Sequence, residues 1–224
     1  MIQKSMSKIS SDYSIVFDLD DTIFYEKKYV LSGFKEIDRY IESRYGLKKS
    51  SLKLVKYFEK NEKDPLQSLC KELNLNIKKQ LIALMRESKP HIKTRPGIIQ
   101  FMKKLKSKNF ETGIITNGRS ITQRNKIQAL GIQNYLDILL ISEEVGLAKP
   151  QLEIFKKYEL QSKKSKFLYI GNNPYLDISP ANTLGWQTVY CTSNNLMLKR
   201  YKVTDATWCI SNFFKESLNE IFFN

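Results

Sequence analysis

The densest chemistry in the sequence lies in one short stretch, Asp18-Leu19-Asp20-Asp21-Thr22. Three carboxylates follow at once on Ile15-Val16-Phe17, an apolar and β-branched run that predicts a buried strand. Carboxylates at the end of a buried strand are costly unless a cation or a reaction uses them. Asp18 and Asp20 therefore predict a metal-assisted site in the crevice beyond the strand, where open parallel sheets bind their ligands. The plainer alternative is a turn, with Asp-Asp-Thr capping the next helix.

Three more predicted strands end in polar residues. Glu111 to Thr116 runs into Asn117-Gly118. Asp137 to Ile141 is followed by Ser142-Glu143-Glu144 and then Lys149-Pro150. Lys166 to Ile170 runs into Gly171-Asn172-Asn173-Pro174, with Asp177 just beyond. Each residue has a bland reading by itself: Thr116 as a strand residue, Lys149 as a solvated charge, Asp177 as an N-cap. In a parallel sheet all four ends face one edge, and that edge would gather carboxylates, a hydroxyl, an ammonium and free backbone N–H groups.

The elements that must hold these residues follow from periodicity. Between about 94 and 224, helical patterns at Ile98–Leu105, Ile121–Leu130, Gln151–Tyr158, Ile178–Leu184 and Phe213–Phe222 alternate with the strands, to which Trp186–Tyr190 and Thr204–Ile210 add two. Such alternation predicts a doubly wound, Rossmann-like parallel α/β core covered on both faces. From about Tyr25 to Lys93 only helical patterns appear, at Tyr29–Tyr45, around Leu52–Phe58, from Asp64-Pro65, and at Ile77–Met85. The expected organisation is a core of residues 1–24 and 94–224 with an all-helical insertion of 25–93.

Bulk properties narrow the function. The chain has 224 residues, 42% hydrophobic and 27% charged, which suits a soluble globular protein. No apolar run reaches the length of a membrane span, and the stretch before Ser11 lacks the apolar segment of a secretory signal. Three widely spaced cysteines form no zinc or redox motif and suit a reducing, cytoplasmic setting. The single histidine, His91, rules out chemistry that needs a histidine pair and stands next to Pro90 as a loop residue. The net charge of +14 attracts anions in general. More than half of that excess falls in 25–93, with 17 Lys and Arg against 9 Asp and Glu. No basic block or nucleic-acid-reading motif accompanies it, so nucleic acid is not an expected partner; retention on DNA at physiological salt would speak otherwise.

Taken together, Asp18-Leu-Asp-Asp-Thr22, Ile115-Thr-Asn-Gly118, Lys149-Pro150 and Gly171-Asn-Asn-Pro-Tyr-Leu-Asp177 resemble the four motifs of the haloacid dehalogenase-like hydrolase superfamily, in the same order. The insertion resembles the α-helical cap that one group carries between the first two motifs. The stretches Phe17–Phe24, Thr116–Ile132 and Ser142–Pro150 are most similar to the nucleotide and small-metabolite phosphatases.

The resemblance implies a Mg²⁺-dependent phosphatase acting on a small phosphorylated metabolite, as a monomer or homodimer. Asp18 is then the nucleophile and Asp20 the general acid and base, with Thr116 and Lys149 stabilising the transferring oxygens. The backbone N–H groups of Asn117 and Gly118 would add to that cradle. Asp18, Asp20 through its carbonyl, Asp177 and Asn172 would hold the metal, and the cap would exclude water and set specificity. An acid at position 20 separates the phosphatases from the dehalogenases. Asn172 departs from the family, which commonly has an acid there, and implies weaker Mg²⁺ binding. Pro180 is a second departure, expected in the first turn of a helix. A phosphomutase of the same fold and a non-catalytic binding module remain alternatives at this stage.

Overall fold

Strand β1, Tyr13–Phe17, is buried along its whole length. It is the third strand of a six-stranded sheet in the computed structural model, which describes residues 9–192, 205–210 and 222. The other strands are β2 (Glu111–Thr116), β3 (Ile138–Ile141), β4 (Lys166–Gly171), β5 (Gln187–Cys191) and β6 (Trp208–Ile210). Their order is β3-β2-β1-β4-β5-β6, and every neighbouring pair is parallel. This is the Rossmann-like α/β arrangement that the alternation predicts. The last strand is shorter than Thr204–Ile210, with Thr204 outside the described residues. The expected helix Phe213–Phe222 also lies outside them, apart from Phe222.

Register places the functional edge. Phe17 stands opposite Ile114 of β2 and Ile170 of β4. The Asp18 N–H then donates to the Ile170 carbonyl at 2.9 Å, so pairing with β4 continues one residue past the strand. Asp18 is thereby fixed beside Gly171, and Thr116 ends the strand on its other side.

The described residues fold as two compact units. One takes in the chain up to Tyr25, Thr94–Ser120 and the chain from Gly131 onward; the other takes in Glu26–Lys93 and Ile121–Leu130. In the first unit, α8 (Leu152–Gln161) packs Ile154, Phe155 and Tyr158 with Val16, Ile115, Phe167, Tyr169 and Trp186 in one buried cluster. Aromatic rings dominate it: Phe167 stacks on Trp186 at 4.6 Å, and Phe155 lies 5.4 Å from Tyr169. Elsewhere in this unit α5 (Ile98–Ser107) brings Phe101 within 6.2 Å of Phe17.

The second unit is all helical. It contains α1 (Glu26–Tyr45), α2 (Ser50–Glu59), α3 (Pro65–Glu72) and α4 (Lys78–Glu87). Phe34, Ile37, Ile41, Leu54, Leu69, Cys70, Ile77 and Leu81 form its core. Asp64 caps α3 by accepting from Gln67 N–H at 3.0 Å, with Pro65 in the first turn. Residues 121–130, which the sequence boundaries keep with the sheet, group here because α6 (Ser120–Leu130) reaches toward α1 and α4. Asn125 Nδ2 donates to the Glu87 carbonyl at 3.1 Å, and Lys126 Nζ lies 4.5 Å above the Tyr29 ring. His91, in a loop as expected, donates its N–H to Ser32 Oγ at 2.8 Å.

Candidate active site

The chain leaves β1 through a tight turn. Ile23 N–H donates to the Leu19 carbonyl at 3.0 Å, and Asp20 bridges to Phe24. Asp21 takes a left-handed φ of 55°, which Asp tolerates better than most residues. Arg95, where the chain re-enters this unit, pins the turn. Its N–H donates to the Ile23 carbonyl at 2.7 Å and its guanidinium to the Asp21 carbonyl at 3.1 Å. The sequence marked Thr94–Gly97 only as punctuation; the buried Arg95 holds the loop that carries Asp20.

Asp18, Lys149 and Asp177 meet at this edge. Lys149 Nζ lies 2.6 Å from Asp18 Oδ1 and 2.6 Å from Asp177 Oδ1, and all three side chains are buried. Residues 131 and 28 positions apart in sequence become direct partners. A fourth member is Tyr169 of β4. Its hydroxyl accepts from Lys149 Nζ at 3.0 Å and lies 3.2 Å from the Ile115 carbonyl and 3.3 Å from Asp177 Oδ1. Nothing in a strand pattern distinguishes Tyr169 from any buried aromatic, so sequence reasoning missed it.

Asn117 acts as a clamp. Its Nδ2 donates to the Lys149 carbonyl and its Oδ1 accepts from the Lys149 N–H, both at 2.9 Å. The side chain thus sets the backbone that delivers the lysine, next to a cis Lys149–Pro150 peptide. The Gly118 N–H, expected to face a phosphate, donates to Ser142 Oγ at 2.9 Å. Thr116 is buried at the end of β2. The helix α7 (Ser142–Val145), not foreseen, begins directly after β3 ends at Ile141 and carries Ser142 to Gly118.

Asp177 comes from a π-helical turn, Pro174–Ile178, which runs into α9 (Ser179–Thr183). Pro180 is in the first turn of α9, as expected. Asn173 caps the turn, its side chain accepting from Tyr175 and Leu176 N–H at 3.0 Å. The Asn173 N–H in turn donates to Asp177 Oδ2 at 2.9 Å. Gly171 is required beneath: a Cβ there would lie 2.6 Å from the Asp177 carboxylate.

Charge in this cluster is unbalanced, two carboxylates facing one ammonium. Burial, with the Asp177 and Asp20 charges, pushes the Asp18 carboxyl up from 3.8 to about 7 against the pull of Lys149. Burial also opposes the charge on Lys149, but the Asp177 and Asp18 carboxylates outweigh it and hold the ammonium well above its usual range.

The surplus negative charge and the donor set fit a hard divalent ion. One end of the Asn172 amide lies 3.3 Å from Asp18 Oδ2, 3.2 Å from the Asp20 carbonyl oxygen and 3.3 Å from Thr22 Oγ1. These are all hard oxygens, of the kind Mg²⁺ takes. Asp177 belongs to the same cluster, with its oxygens turned to Lys149 and Asn173. Among the described residues no group of three or more His, Cys, Asp or Glu forms a metal cluster. Backbone and amide oxygens would have to complete the set.

A family model described as haloacid dehalogenase-like hydrolase matches residues 15–191. The glyceraldehyde 3-phosphate phosphatase of Methanocaldococcus jannaschii is 31% identical over 195 residues, which cover 78% of this chain and 82% of that protein. The pyrimidine 5'-nucleotidase YjjG of Escherichia coli is 33% identical over 52% of each chain. Among solved structures, YfnB from Bacillus subtilis bound to magnesium superposes with a TM-score of 0.65 at 20% identity, covering 93% of this chain and 97% of that one.

Proposed function

Because the chain belongs to the haloacid dehalogenase-like hydrolase family, we propose that it is a Mg²⁺-dependent phosphatase of a small phosphomonoester, working through an aspartyl-phosphate on Asp18. The observation that carries this is the buried contact of Lys149 with both Asp18 and Asp177 at 2.6 Å, beside Asp20 and Thr116 at one sheet edge. Likeness to a glyceraldehyde 3-phosphate phosphatase and a pyrimidine nucleotidase supports small phosphorylated metabolites as the substrate class.

One carboxylate oxygen of Asp18 attacks phosphorus in line with the ester oxygen, and the P–O ester bond breaks. The leaving oxygen takes its proton from Asp20. Asp20, now ionised, removes a proton from water, which attacks the aspartyl-phosphate and releases phosphate with Asp18 restored. Lys149 and Thr116 stabilise the equatorial oxygens as charge spreads over them. Asp18, the Asp20 carbonyl, Asn172 and Asp177 would hold Mg²⁺, which when bound neutralises phosphoryl charge. An acid at position 20, two residues past the nucleophile, serves ester cleavage rather than carbon–halogen chemistry.

The purified chain should hydrolyse p-nitrophenyl phosphate with Mg²⁺ and lose turnover by at least 10³-fold in Asp18→Asn, roughly the loss expected for a nucleophile. Glyceraldehyde 3-phosphate and pyrimidine nucleoside 5'-monophosphates are the first substrates to compare. Unchanged turnover in Asp18→Asn would end the proposal.

A further inference from the structure

We infer that the chain has a second binding site, a cleft at the sheet edge opposite Asp18, which takes a small phosphorylated ligand carrying a ring, of the nucleoside monophosphate class. The cleft has a volume of about 440 Å³, within the range of roughly 300–1,000 Å³ that suits small ligands. It opens where β2 and β3 begin, at Glu111 and Ile138. Glu111 and Thr116 are the two ends of β2, so roughly 17 Å of strand separates the cleft from the catalytic edge. The inference is therefore independent of the chemistry at Asp18.

The cleft is lined by three lysines, Lys106, Lys163 and Lys164, and by two carboxylates, Glu111 and Asp137. Both carboxylates are engaged by the protein itself. Glu111 accepts from Ser162 Oγ and from the Lys163 N–H, the latter at 3.0 Å. Asp137 accepts from the Thr112 N–H at 2.9 Å and from Lys106 Nζ at 2.6 Å. Among the described residues, the Lys163 and Lys164 ammonium groups have no carboxylate partner. The ends of α5 and α8 also meet here, and helix C-termini carry partial negative charge. Their last turns are closed, however. The Lys108 N–H donates to the Lys104 and Leu105 carbonyls, and the Ser162 N–H to the Tyr158 and Glu159 carbonyls. Two ammonium groups thus remain to draw an anion into a recess, and a phosphate has oxygens enough to meet both.

The rest of the lining indicates what that phosphate is attached to. Phe110 and Ile138 are its buried, apolar members, against which a flat ring can rest. Asn109 and Gln161 bring exposed side-chain amides, each with a donor and an acceptor, as the polar edge of a base requires.

The test titrates uridine 5'-monophosphate into the full chain in EDTA, at about 50 mM NaCl, and follows backbone amides by NMR. The Asn109, Ile138 and Lys163 signals should shift and saturate, with a dissociation constant of about 1 mM or tighter. Lys163→Gln with Lys164→Gln should weaken that binding about tenfold or more, as two charge-assisted contacts are lost. The same variant should hydrolyse p-nitrophenyl phosphate with Mg²⁺ as wild type does. Shifts confined to Thr116–Gly118, shifts that never saturate, or undiminished binding in the double variant would overturn the inference. So would inorganic phosphate or a poly-glutamate peptide binding as tightly as the nucleotide, since either marks a general anion patch. If the double variant does not fold, the position of the wild-type shifts decides alone.

Discussion

A carboxylate in a dry, anionic pocket is expensive, and Asp18 shows the cost. Its carboxyl titrates near 7 in the fold, against 3.8 ordinarily, so the folded state holds its proton more tightly than the unfolded chain. That advantage is complete below about pH 4 and is lost as the pH rises through about 7. Above neutrality the metal-free protein carries a buried charge that Lys149 offsets only in part. Asp18→Asn should therefore raise metal-free stability at pH 8 by about 2–4 kcal/mol while abolishing turnover, with the gain shrinking toward pH 5. Thermal melts across that range check the sign, and an Asn variant less stable than wild type at pH 8 contradicts it. Lys149→Met removes the cation that touches both carboxylates and should cost about 3–5 kcal/mol. The types of these residues were legible in sequence, because Asp, Lys and Asp at strand ends have few structural excuses. Tyr169 was not, since its hydroxyl is one atom on an otherwise ordinary core ring.

At the scale of elements, the site depends on how closely strand and turn approach. Gly171 ends β4 directly beneath Asp177, and a Cβ there would meet Asp177 Cβ, Cγ and Oδ2 at 2.6–2.7 Å. That carboxylate cannot swing aside cheaply, because Lys149 and the Asn173 N–H hold both its oxygens. Gly171→Ala should weaken Mg²⁺ binding about tenfold or more, as expected when a metal ligand is misplaced, with a smaller loss of global stability. Calorimetric Mg²⁺ titration beside a urea melt separates the two effects, and unchanged affinity would show that Asp177 has room to adapt. The sequence marked Gly171 as a turn residue; the reason it is glycine is a contact with a side chain six positions on. Likewise the helix expected over Ile178–Leu184 is the short α9, and a π turn over Pro174–Ile178, capped by Asn173 and carrying Asp177, precedes it. The period of the apolar residues reports a helix but not its winding.

The molecule as a whole carries a net charge of +14. A field of that size concentrates anionic substrates and is screened by salt. For a phosphomonoester, kcat/KM should fall severalfold between about 50 and 500 mM NaCl, with kcat little changed, which steady-state kinetics at several ionic strengths would show. A fall in kcat alone would place the salt effect on the chemistry instead. No helix among the described residues is long and apolar enough to cross a membrane.

The sequence by itself determined the α/β class, the parallel sheet and the residue types gathered at its edge, because periodicity and strand-end chemistry are local properties of the chain. Tertiary structure alone decided which of those groups touch. Strand order β3-β2-β1-β4-β5-β6 sets Asp18 between β2 and β4, and only then do Asp18, Tyr169 and Asp177 converge on the Lys149 ammonium. The same convergence turns Asn117 into a backbone clamp, spends the Gly118 N–H on Ser142 and brings the Asn172 amide against Asp18. Hydrogen bonds and charge balance act over about three ångströms, and no spacing along a chain specifies a distance that short between segments so far apart.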